Sequence, residues 1–437
     1  MNLAYRTYYL LSQGLFLGIH PFLWSYSRFA ARYSESIKQR MGEYPPDLLQ
    51  HISGAPRIWI HAVSVGEVQA ALAIIDTLIT LLPESAIILS TTTFQGQEFA
   101  MHQAQNHPNG SRITCIFAPL DFGSCTKKAL TIIRPDILVF IETEIWPNWL
   151  TRARQRDIRT VFANGRISDR SIKSYLSVRL LFRDVLKDVD AFSMINDKDA
   201  QRIRDLGALP QKIEVNGNAK FDFSNHQTDE LLKTEMENRY NLSGMPPVIV
   251  AGSIRGAEPE LILDVYEQVI QAIPETILIM APRHLSRVGQ LETLLKARGL
   301  AYDLRTGLSD NGKRRRASIV IIDTIGELRN VYSIASIVFC GGSLVPLGGQ
   351  NIIEPAAWGK PVLYGPSMEN FLDAKRLLER SGGGIPVKDS RELTEKAVYL
   401  LTHPQEALRI GRLAHESVMS NRGAAQKHAA VIARFAS

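Results

Sequence analysis

Between Gly341 and Pro366 the chain reads GGSLVPLGGQNIIEPAAWGKPVLYGP: a glycine loop, then an Asn, then a Glu at the start of a short predicted helix. Gly348 and Gly349 can take backbone angles closed to other residues and admit a ligand close to the main chain, and a following helix turns its amides toward an anion. Glu354 suits the first helical turn, where the macrodipole favours a carboxylate, but a carboxylate there can also accept both hydroxyls of a ribose. The combination suits a nucleotide-sugar site. In the other half of the chain, Glu67 in HAVSVGE stands where an apolar run meets a helix, and Glu142 in IETEIWPN and Lys220 in GNAKFD end two more apolar runs. Burial and neighbouring charge can raise a carboxylate's pKa enough for base work, so these three groups could serve as base, positioning acid and cation. Each is equally explained as an ordinary charge at a strand end or helix start.

Missing motifs narrow the chemistry. No G-x-x-x-x-G-K-[ST] loop occurs, and no G-x-G-x-x-G follows a first strand, which argues against P-loop hydrolysis and dinucleotide redox chemistry. Asp188-Val-Asp190 precedes the apolar run AFSMIN and reads as a solvated turn more readily than as a metal site. Ser64 lacks the Gly two residues before it that a nucleophile elbow requires. Cys115, Cys125 and Cys340 fall in no metal-ligand spacing and suit a reducing compartment. The net charge of +6 is spread along the chain without aromatic interleaving, which fits an anionic membrane surface or phosphorylated substrate better than nucleic acid.

The elements that must hold these groups alternate regularly. RIWIHAV, AIILSTTT, PDILVFIE, TVFANG and AFSMIN alternate with amphipathic stretches, and the rhythm resumes with VIVAGS, TILIMAPRH, SIVIID, SIVFCGGS and PVLYGP. This predicts two doubly wound α/β domains, with ligands in the cleft beyond the carboxyl ends of the strands. The expected division is a membrane-proximal segment over 1–40, an acceptor domain over 41–224, a linker over 225–247 and a donor domain over 248–437, whose last helix could return to the first domain. Tyr8 to Trp24 is apolar and aromatic and is followed by Arg28, Arg32, Lys38 and Arg40. At about 17 residues it is short for a bilayer span, so it reads as a membrane anchor that spans or lies in the interface, with the rest of the chain cytoplasmic. A buried helix of the first domain is the alternative.

The ordered motifs HAVSVGE, IETEIWPN, NGRIS, GNAKFD, AGSIRGAE, APRH, DTIGEL, FCGGSLVPLGGQNIIEP and YGP resemble the 3-deoxy-D-manno-octulosonic acid (Kdo) transferases of lipopolysaccharide biosynthesis, which are GT-B glycosyltransferases. The resemblance implies transfer of Kdo from CMP-Kdo to lipid IVA, the tetraacylated lipid A precursor, on the cytoplasmic side of the bacterial inner membrane, without a metal or other cofactor. It makes Glu67 the general base, with Glu142 and Lys220 supporting the transition state. It makes Pro282, Arg283, Ile325, Gly326, Glu327, Asn351, Ile352, Ile353 and Glu354 the CMP contacts, with Glu354 on the ribose and Arg283 and the glycine-loop amides on the leaving phosphate. Direct displacement by one base would invert the anomeric centre. Ser253 and Arg166 are further candidate substrate contacts; Arg166 at a strand end could hold a carboxylate or lipid phosphate, or simply cap a helix start.

Where many such transferases carry E-R-x-G, this chain reads Gln39-Arg40-Met41-Gly42. The expected consequence is an altered membrane-proximal or acceptor contact, with the base intact. Another GT-B enzyme using a different sugar nucleotide, a non-catalytic nucleotide-sugar binder and a Ser64 hydrolase remain as alternatives.

Overall fold

The computed structural model describes residues 3–29, 31–50, 52–142, 144–222, 230–242, 244–308 and 314–436. The chain forms two compact units, Met1–Asn225 with Asn421–Ser437, and His226–Ser420.

In the first unit, seven strands lie in the order β3-β2-β1-β4-β5-β6-β7. They are β1 (Arg57–His61), β2 (Ala86–Thr91), β3 (Ile113–Phe117), β4 (Ile137–Ile141), β5 (Arg159–Gly165), β6 (Ala191–Met194) and β7 (Ile213–Val215). Every pairing is parallel. Helices cover both faces, which is why β2 and β4 are buried along their whole length, β4 as an unbroken apolar run and β2 apolar up to Ser90 and Thr91. Trp59 of β1 packs against Trp149 with ring centroids 4.9 Å apart, filling one face, while the helix Val65–Leu81 covers the other with Val68, Leu72, Ile75 and Leu78. The chain leaves β1 toward β2 and β3, then returns to lay β4 on β1's other side and continue outward. This reversal puts a topological switch point between β1 and β4, where the crevice of a doubly wound sheet opens.

The second unit repeats the plan in the order β10-β11-β9-β8-β12-β13-β14. Its strands are β8 (Val248–Ile254), β9 (Ile277–Pro282), β10 (Tyr302–Leu304), β11 (Ile319–Ile321), β12 (Ile337–Cys340), β13 (Val362–Tyr364) and β14 (Gly384–Pro386), again all parallel. The switch point here lies between β8 and β12.

One boundary differs from the sequence expectation. The stretch expected as a linker carries the helix Glu230–Arg239, whose Met236, with Tyr240 and Leu242 beyond it, is buried in the second unit's core; a linker would leave such side chains in water. The last helix, Ala424–Ala433, belongs to the first unit, where Ala425, Ala429, Val431 and Ile432 pack with the helix Val65–Leu81.

The N-terminal helix, Leu3–Phe29, contains Pro21. Tyr5, Tyr8, Tyr9, Ser12 and Phe16 share one face by their helical spacing, and that face lies on the first unit. Tyr5 donates to Asn148 Oδ1 at 3.1 Å, Tyr8 donates to Asp121 Oδ2 at 2.7 Å, Tyr9 stacks with Arg152, and Phe16 meets Phe122. The opposite face leaves Leu3, Leu10, Leu11, Leu15, Leu17 and Phe22 exposed. Among the described residues no helix is long and apolar enough to cross a membrane.

Candidate active site

Three of the expected groups come together at the first unit's switch point. The helix Val65–Leu81 starts directly beyond β1, and Glu67 stands in its first turn. Its Oε2 accepts from the Val63 amide at 2.7 Å and its Oε1 from Ser64 Oγ at 3.0 Å. These bonds make Glu67 part of a helix cap, as the structural reading of the sequence allowed. They lower its pKa, but burial, with the nearby Glu142 carboxylate, outweighs them and pushes it up to about 8. Glu142 leaves β4 in the left-handed region, φ 59°, a costly conformation for a residue with a side chain. Its carboxylate pairs with the Lys220 ammonium. Lys220 also sits beside the start of the helix that carries Glu67, since a Cβ on Gly66 would lie 3.6 Å from its Nζ.

The loop carrying Lys220 is held from two sides. Asn164 at the end of β5, φ 54°, accepts from the Ala219 amide at 2.8 Å. His428 of the last helix donates through Nε2 to the Gly217 carbonyl at 3.0 Å, and its Nδ1 lies 2.6 Å from Ser193 Oγ. Burial keeps that imidazole neutral, with its pKa lowered to about 4. The C-terminal residues thus help set the cation's position, which no local pattern near Lys220 announces. Glu144 is a group the sequence reading passed over. Burial, with Glu142 adding to it, raises its pKa to about 7, and its charge acts on Glu67 in turn.

The alternatives find other places. Ser64 Oγ donates to Glu67, while the buried His61 Nδ1 lies 3.0 Å from Ser90 Oγ, so His61 serves Ser90 and not Ser64. Asp188 pairs with Arg154, and Asp190 pairs with Arg159 at 3.0 Å, as turn residues do. At Gln39 the side chain is buried and its Oε1 accepts from the Phe117 amide at 2.7 Å, a fold-holding bond at the end of β3. Arg40 beside it lies over the Phe117 ring, 4.8 Å from its centroid. Arg166 is half-buried just beyond β5.

The expected donor residues gather at the carboxyl ends of the second sheet. Asn351 Oδ1 accepts from the Ile353 amide and its Nδ2 donates to Glu354 Oε1, both at 3.0 Å, so Asn351 bonds both the first residue of the short helix Ile353–Ala357 and the acid. Burial raises the pKa of Glu354, opposed by the charges of Arg329 and Arg283 and the Asn351 bond. Ile352 and Ile353 are core residues, leaving only their backbone for a ligand. Pro282 ends β9, and the Arg283 amide donates to the Ile254 carbonyl at 3.1 Å. Ile325 is 77% exposed and Gly326 has φ 88°, which presents this loop to a ligand. Glu327 is spent on the structure, accepting from Arg305 at 2.6 Å and Arg239 at 3.2 Å, with Thr324 also bonded. Ser253 is held at φ 54° near the end of β8.

One expectation here is overturned. The amides of Gly342, Ser343 and Leu344 do not await a phosphate: the wholly buried Glu258 carboxylate accepts from them at 2.6, 2.9 and 3.0 Å. The amides of Gly348 and Gly349 donate to Ser367 Oγ and the Gly342 carbonyl. Glu258 was missed because, in AGSIRGAEPE, it reads as one more acid at a helix start.

Comparison with known proteins then identifies the family. A protein from Haemophilus influenzae named 3-deoxy-D-manno-octulosonic acid transferase is 30% identical over 91% of this chain and 90% of its own length. The chain belongs to the Kdo transferase family. The family model described as 3-Deoxy-D-manno-octulosonic-acid transferase (kdotransferase) matches residues 35–223, the unit that holds Glu67, Glu142 and Lys220. A bifunctional glycosyltransferase/methyltransferase of Fusobacterium nucleatum subsp. nucleatum is 35% identical over 75% of this chain, which spans half the length of that relative. Among solved structures, UDP-GlcNAc 2-epimerase from Neisseria meningitidis, bound to UDP-GlcNAc, aligns with a TM-score of 0.57 at 13% identity, covering 86% of this chain and all of that one. That likeness shows the fold alone. A Kdo transferase is a glycosyltransferase, and the two Rossmann-like units are the fold that the sequence motifs implied.

Proposed function

We propose that this protein transfers Kdo from CMP-Kdo to a hydroxyl of lipid IVA, releasing CMP. The observation that carries the mechanism is the cluster at the first switch point: Glu67, raised to about 8, beside the Glu142–Lys220 pair. A carboxylate that holds its proton this strongly is a competent base near neutral pH. Glu67 takes the proton of the acceptor hydroxyl as its oxygen attacks the anomeric carbon, and Lys220 offsets negative charge near the reacting oxygen. Glu142 holds Lys220 in place. CMP leaves as the C–O bond to its phosphate breaks, and one displacement inverts the anomeric centre. No step calls for a metal. In the second unit Glu354 takes the ribose hydroxyls, Ile325 and Gly326 face the base, and Arg283 supplies positive charge for the departing phosphate.

The N-terminal helix supports action at the cytoplasmic face of the inner membrane. Its aromatic and polar face is committed to the protein and its leucine-rich face is exposed, which suits a helix lying in the membrane interface beside a lipid acceptor.

Purified protein incubated with CMP-Kdo, generated in place, and tetraacylated lipid A precursor tests the proposal through product mass. Gain of one or more Kdo masses, lost in Glu67→Gln, is the expected result. A folded protein that adds no mass to this acceptor would point to another sugar nucleotide or acceptor within the same fold.

A further inference from the structure

The donor brings two anions, a phosphate and the sugar carboxylate, to a unit whose glycine-loop amides are already committed. Glu258 fills that ring of amides as an internal anion, and a second anion there would meet its charge. The same carboxylate accepts from the Arg255 amide at 2.9 Å, which fixes the start of the Arg255 side chain relative to the loop. That side chain passes Gly342: a Cβ there would lie 3.6 Å from Arg255 Cδ. Arg255 is half-buried and lines a pocket of about 370 Å³ together with Pro282, His284 and Leu347. Glu260 and Arg287 also line it, both exposed to solvent. Among the described residues the structure gives the Arg255 guanidinium no ion-pair partner.

We propose that Arg255, in addition to Arg283, is a second side chain that takes an anionic group of the donor, binding two of its oxygens through the guanidinium fork. A partly buried guanidinium on a side chain that passes Gly342, at the switch point between β8 and β12, has the reach for a phosphate or a carboxylate. Glu258 repels an anion from the loop amides beside it. The inference rests on the proposed donor, CMP-Kdo, and assigns a contact within its site.

The test is calorimetric titration of the full-length protein with CMP and with CMP-Kdo, for wild type, Arg255→Ala and Arg255→Lys. Arg255→Ala should weaken CMP-Kdo about tenfold or more, as expected for losing a charge-assisted pair of bonds, with Arg255→Lys intermediate. An equal loss for CMP assigns the contact to the phosphate; unchanged CMP binding assigns it to the sugar carboxylate. Both compounds binding Arg255→Ala as tightly as wild type overturns the inference and leaves the donor assignment standing. Wild type binding neither compound overturns both.

Discussion

The most exposed consequence of the proposed mechanism is a rate that climbs with pH and a climb that moves when Glu142 is changed. With its pKa pushed up to about 8, Glu67 is ionised in roughly a tenth of molecules at pH 7 and in roughly half at pH 8. The acceptor kcat/KM, measured at saturating donor, should therefore rise about tenfold from pH 6 to pH 7 and level off above about pH 9. Glu142→Gln removes a negative charge that raises Glu67 and frees Lys220 to lower it, so both effects act in one direction. The limb should move to lower pH by on the order of one unit, even as the maximal rate falls. Glu67→Gln should cost about 10²- to 10⁴-fold and abolish the limb. The carboxylates titrate together, so the limb belongs to the cluster and the shift between variants is the decisive quantity. Stability gives an independent reading. A folded-state pKa above the ordinary 4.5 means that the Glu67 contribution to stability is lost as pH rises from about 4.5 through about 8. Glu67→Gln should then gain on wild type above pH 8, by on the order of 2 kcal/mol after allowing for solvent screening. A flat wild-type profile between pH 6 and pH 9, or a Glu142→Gln limb that stays put or moves upward, would refute the reasoning.

Other expectations follow from single contacts. Ser64→Ala should keep most activity and move the limb slightly upward, because it removes a bond that lowers the Glu67 pKa; near-complete loss would revive a hydrolase nucleophile. Glu354→Gln should raise the donor KM about tenfold or more while leaving the acceptor KM unchanged, in initial-rate assays that vary each substrate. Glu258→Ala leaves four amides without their acceptor and should cost about 3–5 kcal/mol in denaturant unfolding, whereas an exposed acid would cost under about 1 kcal/mol. His428 has a folded pKa of about 4 against an ordinary 6.5, so the stability it contributes is present above pH 6.5 and lost as pH falls toward 4. The stability gap between wild type and His428→Gln should narrow by about 3 kcal/mol across that window, as followed by chemical denaturation at fixed pH values.

The sequence alone was enough for the two sheets, because fully buried parallel strands cannot hide in a pattern: ILVFI is apolar from end to end, AIILST is apolar up to its last two residues, and each is followed by polar residues where the chain leaves the sheet. It also placed Glu67, Glu142, Lys220 and Glu354 just beyond strand ends, where the crevice of a doubly wound sheet opens. The linker reading failed for a local reason: ELLKTEMENR is mostly polar, and only the neighbouring unit makes Met236 and Tyr240 core residues. What the tertiary structure decided is the partnership of charges far apart in the chain. Lys220 meets Glu142, Asn164 and His428 steady the Lys220 loop, and Glu258 claims amides more than eighty residues away. Residue types and spacing report what each segment can do, but a pKa or an occupied amide depends on which groups the fold brings within a few ångströms. The same sheet reversal that creates each crevice brings those groups together.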